Sequence, residues 1–170
     1  MSAAPHVTAP EHLEAHHDAS TFDCGQPELN DWLRLQALHN EASGASRTYV
    51  ICVEGRVVGY YALATGAVAR AAATGKARRQ MPDPIPVMII GRLAVDTGHQ
   101  GLGFGYGLLR DALLRILQVA KQAGVRAVLL HAMTADAKRF YQRAGFQESP
   151  LDPMAMMITI GDVEKALASP

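Results

Sequence analysis

Two cysteines, Cys24 and Cys52, are all that the 170-residue chain contains. They are isolated from each other, so neither a disulfide framework nor a zinc knuckle is expected. Neither has a basic neighbour in sequence to lower its thiol pKa, which argues against covalent catalysis through sulfur. Aromatic residues make up 6% of the chain, with a single Trp, and no basic run is interleaved with them as a single-strand stacking platform needs. No apolar run reaches the roughly 18 residues of a membrane helix, so no membrane association is expected. The opening residues Met1 to His6 have neither a basic n-region nor an apolar core. No secretory leader is expected, and the cytoplasm is the expected compartment. Net charge is also lacking: 16 Lys and Arg balance 16 Asp and Glu, so no overall field draws a polyanion.

What is present is a globular composition, 49% hydrophobic and 19% charged, on a length that suits one domain over residues 1–170. Residues 1–25 read as a partly irregular N-terminal segment. The charge is unevenly spread. Residues 1–30 carry Glu11, Glu14, Asp18, Asp23 and Glu28 without a Lys or Arg, whereas Arg70, Lys76, Arg78, Arg79 and Arg92 crowd residues 66–92, whose only acid is Asp83. A local basic patch can hold phosphates on a neutral protein; a solvated basic loop is the alternative.

A helix is predicted from Pro27 to about Ala42, with Leu29, Leu33, Leu35, Ala37 and Leu38 on its apolar side and Gly44 as the stop. The β-branched and aromatic runs Thr48–Val53 and Val57–Ala64, joined through Glu54, Gly55 and Arg56, predict a hairpin. Residues 70–86 read as loop because of Gly75, Pro82, Pro84 and Pro86. Val87–Val95 is nearly continuous in apolar residues, as a central strand is, and Gly91 within it predicts a bulge or a close approach. A helix follows with Leu109, Leu113, Ile116, Leu117 and Ala120 on its buried side, ending at Gly124. Ala127–His131 is a second central strand, and the strand–helix–strand order implies a parallel pair. Thr134 or Asp136 caps a helix running to Gly145. Met154–Ile160 reads as a last strand before a short C-terminal helix. These elements make an α/β domain around one mixed central sheet flanked by helices.

The segment Gly91–Arg110 carries the most information. It reads as a strand, a glycine-dense turn and the first turn of a helix, which aims unpaired backbone N–H groups at one spot suited to an anion. A P-loop would need Lys and then Ser or Thr after its last glycine, but Leu108 follows Gly107. A dinucleotide fingerprint would need a glycine at its sixth position, where Tyr106 or Leu108 stands. The pattern Gln100-x-x-Gly103-x-Gly105 resembles the acyl-CoA pyrophosphate loop of the GNAT N-acetyltransferases.

A second stretch, Arg139 to Phe146, resembles the helix near the GNAT C-terminus whose Tyr faces the thioester sulfur. The resemblance implies a GNAT fold with a splayed parallel strand pair and acetyl-CoA as acetyl donor, with no metal. Tyr141 is then the general acid to the departing thiolate, a role its ordinary pKa near ~10 permits at neutral pH. Gln100, Gly101, Leu102, Gly103, Phe104 and Gly105 are the expected pyrophosphate contacts. Leu93, Ala94 and Val95 are expected to bond the pantetheine arm through their main chain, and Phe140 to pack or wall the cofactor. No acid lies within Val87–Val95, and Asp96 at its exit suits a cap or turn as well as a base. An α-amine, with pKa of roughly 7.7–8, is partly neutral at pH 7, whereas Lys near ~10.4 is almost wholly charged. The missing base therefore favours an α-amine acceptor.

From Phe22 onward the chain resembles the GNAT toxins of bacterial toxin–antitoxin modules. The matching stretches are Leu29–Leu33, Ala42–Tyr49, Gly59–Ala64, Gly91–Asp96, Phe140–Tyr141 and Ser149–Met154. This resemblance implies acetylation of the α-amine of aminoacyl-tRNA, which blocks translation. It also implies a cognate antitoxin partner whose DNA-binding part is a ribbon-helix-helix. Lys76, Arg78, Arg79 and Arg92 are then expected tRNA phosphate contacts, with Arg92 alternatively a strand residue facing the acceptor opening. The alternatives are a GNAT acetyltransferase for small amines or protein N-termini, and a non-catalytic acyl-CoA-binding interaction protein. Tyr106-Gly107 is a local departure from the family loop that predicts a looser helix start. Of the remaining residues, His12 and His16 suit a polar surface helix better than a zinc pair without a third ligand. His99 is read as exposed in its loop or touching a phosphate, and His131 as a hydrogen-bonded structural residue at a strand end. Met154, Met156 and Met157 read as strand packing, with a homodimer interface as the alternative.

Overall fold

In the computed structural model, residues 6–168 are described; the leader expectation rests largely on Met1–Pro5, outside them. Tertiary contacts divide the chain into two compact units. One is the chain up to Ala64 with Arg92–Ala112, the other Thr65–Gly91 with the chain from Leu113 on.

In the first unit, β1 (Glu11–His12), β2 (Arg47–Val53) and the beginning of β3 (Arg56–Val68) form an antiparallel ladder. The β2–β3 hairpin turns on Glu54 and Gly55, both left-handed at φ 51° and 79°. Two positive φ values in a two-residue loop match the right-handed strand twist. Helices α1 (Pro27–Leu35) and α2 (Ala37–Ser43) replace the single helix expected there. The break falls at Gln36, with φ −119° and ψ −30°. Leu33 and Ala37 are buried, but Leu35 and Leu38 of the expected apolar side are 71% and 45% exposed. One core cluster gathers Phe22, Trp32, Leu33, Val50, Tyr60 and Ala94. The expected polar helix at His12 and His16 does not form: His12 lies in β1 and its ring meets Tyr49 edge-on at 4.4 Å.

The first part of α4 (Phe104–Ala120) lies close to β3 in the same unit. A Cβ on Gly59 would meet Ile51 at 2.9 Å and Leu108 at 3.0 Å. A larger residue there would push the Ile51 and Leu108 side chains aside, so glycine lets β3 and α4 pack closely. The helix runs unbroken from Phe104 through Tyr106 and Gly107, so the departure from the family loop does not disturb its start. Tyr61, stacked on Tyr49, donates its hydroxyl hydrogen to Asp111 on α4.

In the second unit, the first part of β4 (Ile85–Val95) pairs parallel with β5 (Ala127–His131), as the crossover order requires. β5 pairs antiparallel with β7 (Ala155–Thr159), which pairs with the two-residue β6 (Gln147–Glu148). The strand order is β1-β2-β3-β4-β5-β7-β6. β4 starts at Ile85 and β3 continues to Val68, both beyond the expected bounds. A Cβ on Gly91 would meet nothing within 4 Å, so no described residue closes on it. The stretch expected as loop contains a 3-10 turn at Arg70–Ala72 and α3 (Gly75–Arg78), capped by the Thr74 hydroxyl. Thr134, not Asp136, caps α5 (Ala135–Arg143), accepting from the Ala137 amide. β7 is shorter than expected at both ends, and Ile160 opens α6 (Ile160–Ala168). Among the described residues, no helix is long and apolar enough to cross a membrane.

Candidate active site

The ladder between β4 and β5 runs from Val87–Ala127 to Ile89–Leu129 and stops there, although both strands continue. The last part of β4, Leu93 to Val95, therefore has no strand pairing on the β5 side among the described residues. An extended ligand can hydrogen-bond such an edge as an added strand would. Ala94 is buried in the first unit's core, and Leu93 and Val95 are half-buried.

Beyond β4 the chain is stapled before it reaches the glycines. The Asp96 carboxylate accepts the Asp23 and Gly98 amides, each at 3.0 Å, and its own N–H donates to Val58 O at 2.8 Å. These bonds give Asp96 a turn-forming task and leave no sign of a base. Gln100 donates from Nε2 to Val95 O at 2.8 Å and to Cys24 O at 3.3 Å. Both amide hydrogens are thus committed to main-chain carbonyls, and Gln100 braces the loop. Behind this brace, buried Asn30 donates to the Asp23 carboxylate and accepts the Cys24 amide, both at 2.9 Å. The Gly25 amide and Asn30 bonds hold the exposed Asp23 carboxyl below the usual carboxylate range. The contributions of Asp23 and Asn30 were not read from sequence. Only the position of Asn30 inside Leu29–Leu33 could have hinted at it.

Gly101 and Gly103 have φ 76° and 89°, a left-handed backbone that glycine adopts without strain. The first helical bond of α4 runs from the Gly107 amide to Gly103 O at 3.0 Å. The N–H groups of Phe104, Gly105 and Tyr106 therefore lack helical partners. Gly101, Leu102 and Gly103 are exposed, and a Cβ on either glycine would meet nothing within 4 Å. The result is an open cradle of free amides at the positive end of a 17-residue helix. His99 is partly exposed beside it, 3.6 Å from Asp96 through Nδ1, outside hydrogen-bond range.

On β4 in the same unit, the Arg92 guanidinium lies 4.4 Å from the Trp32 ring centroid. Trp32 stacks on Tyr60, whose hydroxyl donates to Leu29 O at 2.7 Å. Burial pushes the Tyr60 phenol far above its ordinary value, against the opposing pull of the Arg92 charge.

In the second unit, Tyr141 is buried on α5, with Phe140 and Phe146 edge-on at 5.1 and 5.7 Å. Phe140, half-buried, packs against it as expected. Burial pushes the Tyr141 phenol up to about 12, so it remains a proton donor at any physiological pH. Lys76, Arg78 and Arg79 gather at α3. Lys76 is ion-paired to Asp162 at 3.1 Å, whereas Arg78 and Arg79 are exposed, without a carboxylate partner among the described residues. Arg126, not singled out from sequence, donates to Lys76 O and Ala77 O at 2.8 and 3.1 Å. Arg78 also lines a cavity of about 410 Å³ with Thr74, Gly75, Glu148, Ser149 and Pro153. Arg92 belongs to the other unit. His131 is exposed and 4.0 Å from Asp152, so the expected structural hydrogen bond is not made.

Glu11, His17 and buried Cys52 have ligand atoms within 4.8 Å of one another. The set holds together without an ion. His17 Nδ1 accepts the Glu14 amide at 2.8 Å, which leaves the ring proton on Nε2 to donate to Glu11 at 2.9 Å. A metal on Nε2 would need the opposite tautomer. Burial pushes the Cys52 thiol up to about 11, keeping it protonated.

A free-amide cradle after an open-edged strand, on a mixed sheet with a parallel crossover, defines an acyl-CoA-dependent acyltransferase fold. The family model described as "Acetyltransferase (GNAT) domain" matches residues 44–148, and the chain belongs to the GNAT acetyltransferases. The chain is 48% identical to the "tRNA-acetylating toxin" of Mycobacterium tuberculosis over 155 residues, covering 91% of this chain and 93% of that protein. Its fold matches AtaT complexed with acetyl-methionyl-tRNAfMet at TM-score 0.87 and 27% identity, covering 96% of this chain and all of that one. It also matches an AtaT mutant toxin bound to the C-terminus of the antitoxin AtaR and acetyl-CoA. There the TM-score is 0.82 and the identity 26%, over 96% and 99% of the two chains.

Proposed function

We propose that this protein is a toxin of a toxin–antitoxin module that acetylates the α-amine of aminoacyl-tRNA with acetyl-CoA, and so stops translation in the cytoplasm. The observation that carries the reading is the 48% identity to a tRNA-acetylating toxin across nearly the whole of both chains. The free amides at Phe104–Tyr106 and the open edge of β4 support the donor half.

The pyrophosphate rests on the amides from Gly101 to Tyr106, where the helix end favours negative charge. Leu102 and Phe104 contribute main chain there, and Gln100 holds the loop in shape. The pantetheine amides bond Leu93–Val95, which sets the thioester carbonyl against the strand. The α-amine nitrogen attacks that carbonyl carbon, the carbon–sulfur bond breaks, and the ammonium proton leaves to solvent. Tyr141 donates its hydroxyl hydrogen to the departing sulfur and regains a proton from solvent, so CoA leaves as the thiol. A phenol raised to about 12 is a weaker acid than an ordinary thiol near ~8.5. Its proton therefore moves along the hydrogen bond only as charge builds on sulfur. Lys76, Arg78, Arg79 and Arg92 meet the tRNA phosphates, and an antitoxin with a ribbon-helix-helix DNA-binding part neutralises the enzyme.

Expression of the wild type against Tyr141→Phe tests this reading. Growth arrest is expected with the wild type and its loss with the variant. A harmless wild type, or equal arrest by both, would count against it.

A further inference from the structure

We propose that Arg92 binds the terminal phosphodiester at the acceptor end of the tRNA, and that Trp32 is the residue that positions it. The proposal rests on the aminoacyl-tRNA reading above and extends it to a partner atom and a second residue. Arg92 is half-buried on β4, 4.4 Å over Trp32. Among the described residues it has no hydrogen-bond or carboxylate partner. A guanidinium partly withdrawn from water with its N–H fork uncommitted is set for a bidentate anion, and phosphate matches that fork.

Trp32 cannot easily turn away. The residue is only 9% exposed, and its ring stacks on Tyr60 at 5.9 Å with planes 10° apart. Tyr60 is held in turn by its hydroxyl bond to Leu29 O at 2.7 Å and by the edge of Phe22 at 5.6 Å. The stack thus presents one preset cation, in contrast to the exposed and unpaired Arg78 and Arg79. Alternation along β4 puts Arg92 on the same face as Ala94, which packs in the Trp32 cluster. Arg92 is also the immediate neighbour of Leu93, where the pantetheine strand begins, so its charge is sited for the end of the acceptor and not for its body.

The test is steady-state kinetics on two acceptors, a charged tRNA and an aminoacyl-adenosine with no 5′ phosphate, for the wild type, Arg92→Gln, Trp32→Leu and Trp32→Phe. Arg92→Gln and Trp32→Leu are expected to raise KM for charged tRNA roughly tenfold, as losing a partly desolvated cation–π contact and its phosphate does. KM for acetyl-CoA should change far less than KM for charged tRNA, and kcat/KM on the phosphate-free acceptor should fall far less than on charged tRNA. Trp32→Phe keeps a ring under the cation and should stay within about threefold. The salt slope of tRNA binding should fall by about one in Arg92→Gln. Equal losses on both acceptors, an unchanged KM for tRNA, or a raised KM for acetyl-CoA, which would give the guanidinium to a CoA phosphate, would each overturn the proposal. A wild type inactive on every charged tRNA would remove the underlying reading and this one with it. Should Trp32→Leu fail to fold, Arg92→Gln decides alone.

Discussion

At the scale of single residues, Tyr141 and Gln100 separate chemistry from scaffolding. Tyr141→Phe keeps the ring that Phe140 and Phe146 pack against. Removing only the hydroxyl should lower kcat by about 10²–10⁴-fold while acetyl-CoA affinity is retained, as loss of a positioned acid does. A kcat within a few-fold of wild type would discharge Tyr141 from the role. The same phenol makes a pH prediction. Because its pKa is pushed up to about 12, kcat/KM should rise through the acceptor amine's pKa of roughly 7.7–8 and then level off. A fall attributable to Tyr141 deprotonation near its ordinary value of ~10 would contradict the burial argument. Gln100 predicts a different pattern. Gln100→Leu leaves the Val95 and Cys24 carbonyls without their donor. A raised KM for acetyl-CoA with kcat little changed is expected, with about 0.5–1.5 kcal/mol lost from stability in a denaturant titration.

Elements carry the next level of argument. The cradle depends on Gly101 and Gly103 holding positive φ, so Gly103→Val should abolish acetyl-CoA binding in calorimetry while circular dichroism still reports α4. Three buried acidic protons on separate elements set the alkaline behaviour: Cys52 on β2 at about 11, Tyr60 on β3 raised further, and Tyr141 on α5 at about 12. Each folded value lies above its unfolded one, so the folded state keeps its protons longer. The stability they contribute is whole below the unfolded value of 9.0 for Cys52 and is lost as pH rises through 11 and 12. Denaturation midpoints should accordingly fall from about pH 9 upward, and a flat profile there would contradict it. Much of this level was legible in sequence. β5 was bounded by its apolar run, and α5 by a hydroxyl residue at one end and Gly145 at the other. The β2–β3 turn was marked by Gly55. The break at Gln36 was not, since no Gly or Pro announces it. Nor was β1, whose Glu11 and His12 become a strand only by pairing with Val50 and Tyr49 far along the chain.

At the scale of the whole molecule, the donor side and the acceptor side differ in how far local sequence defines them. The cradle is a local object, a turn and the helix after it, and glycine spacing shows it directly. Its bracing by Asp23, Asn30 and Asp96 joins distant segments and became visible only in three dimensions. The basic residues show the same limit. Lys76, Arg78 and Arg79 are neighbours in sequence, yet Lys76 is paired with Asp162 and Arg126 joins them from beyond α4. Charge reversal at Arg78 and Arg79 should therefore spare acetyl-CoA binding, raise KM for tRNA most strongly at low salt, and flatten its rise across a salt series. The account turns on the acceptor. Its most direct test is incubation of the purified protein with labelled acetyl-CoA and a pool of charged tRNAs, followed by alkaline release and identification of the labelled product. Label on the α-nitrogen of released amino acids, lost with Tyr141→Phe, is the predicted result. Label on free amines or protein N-termini, with charged tRNA untouched, would contradict it.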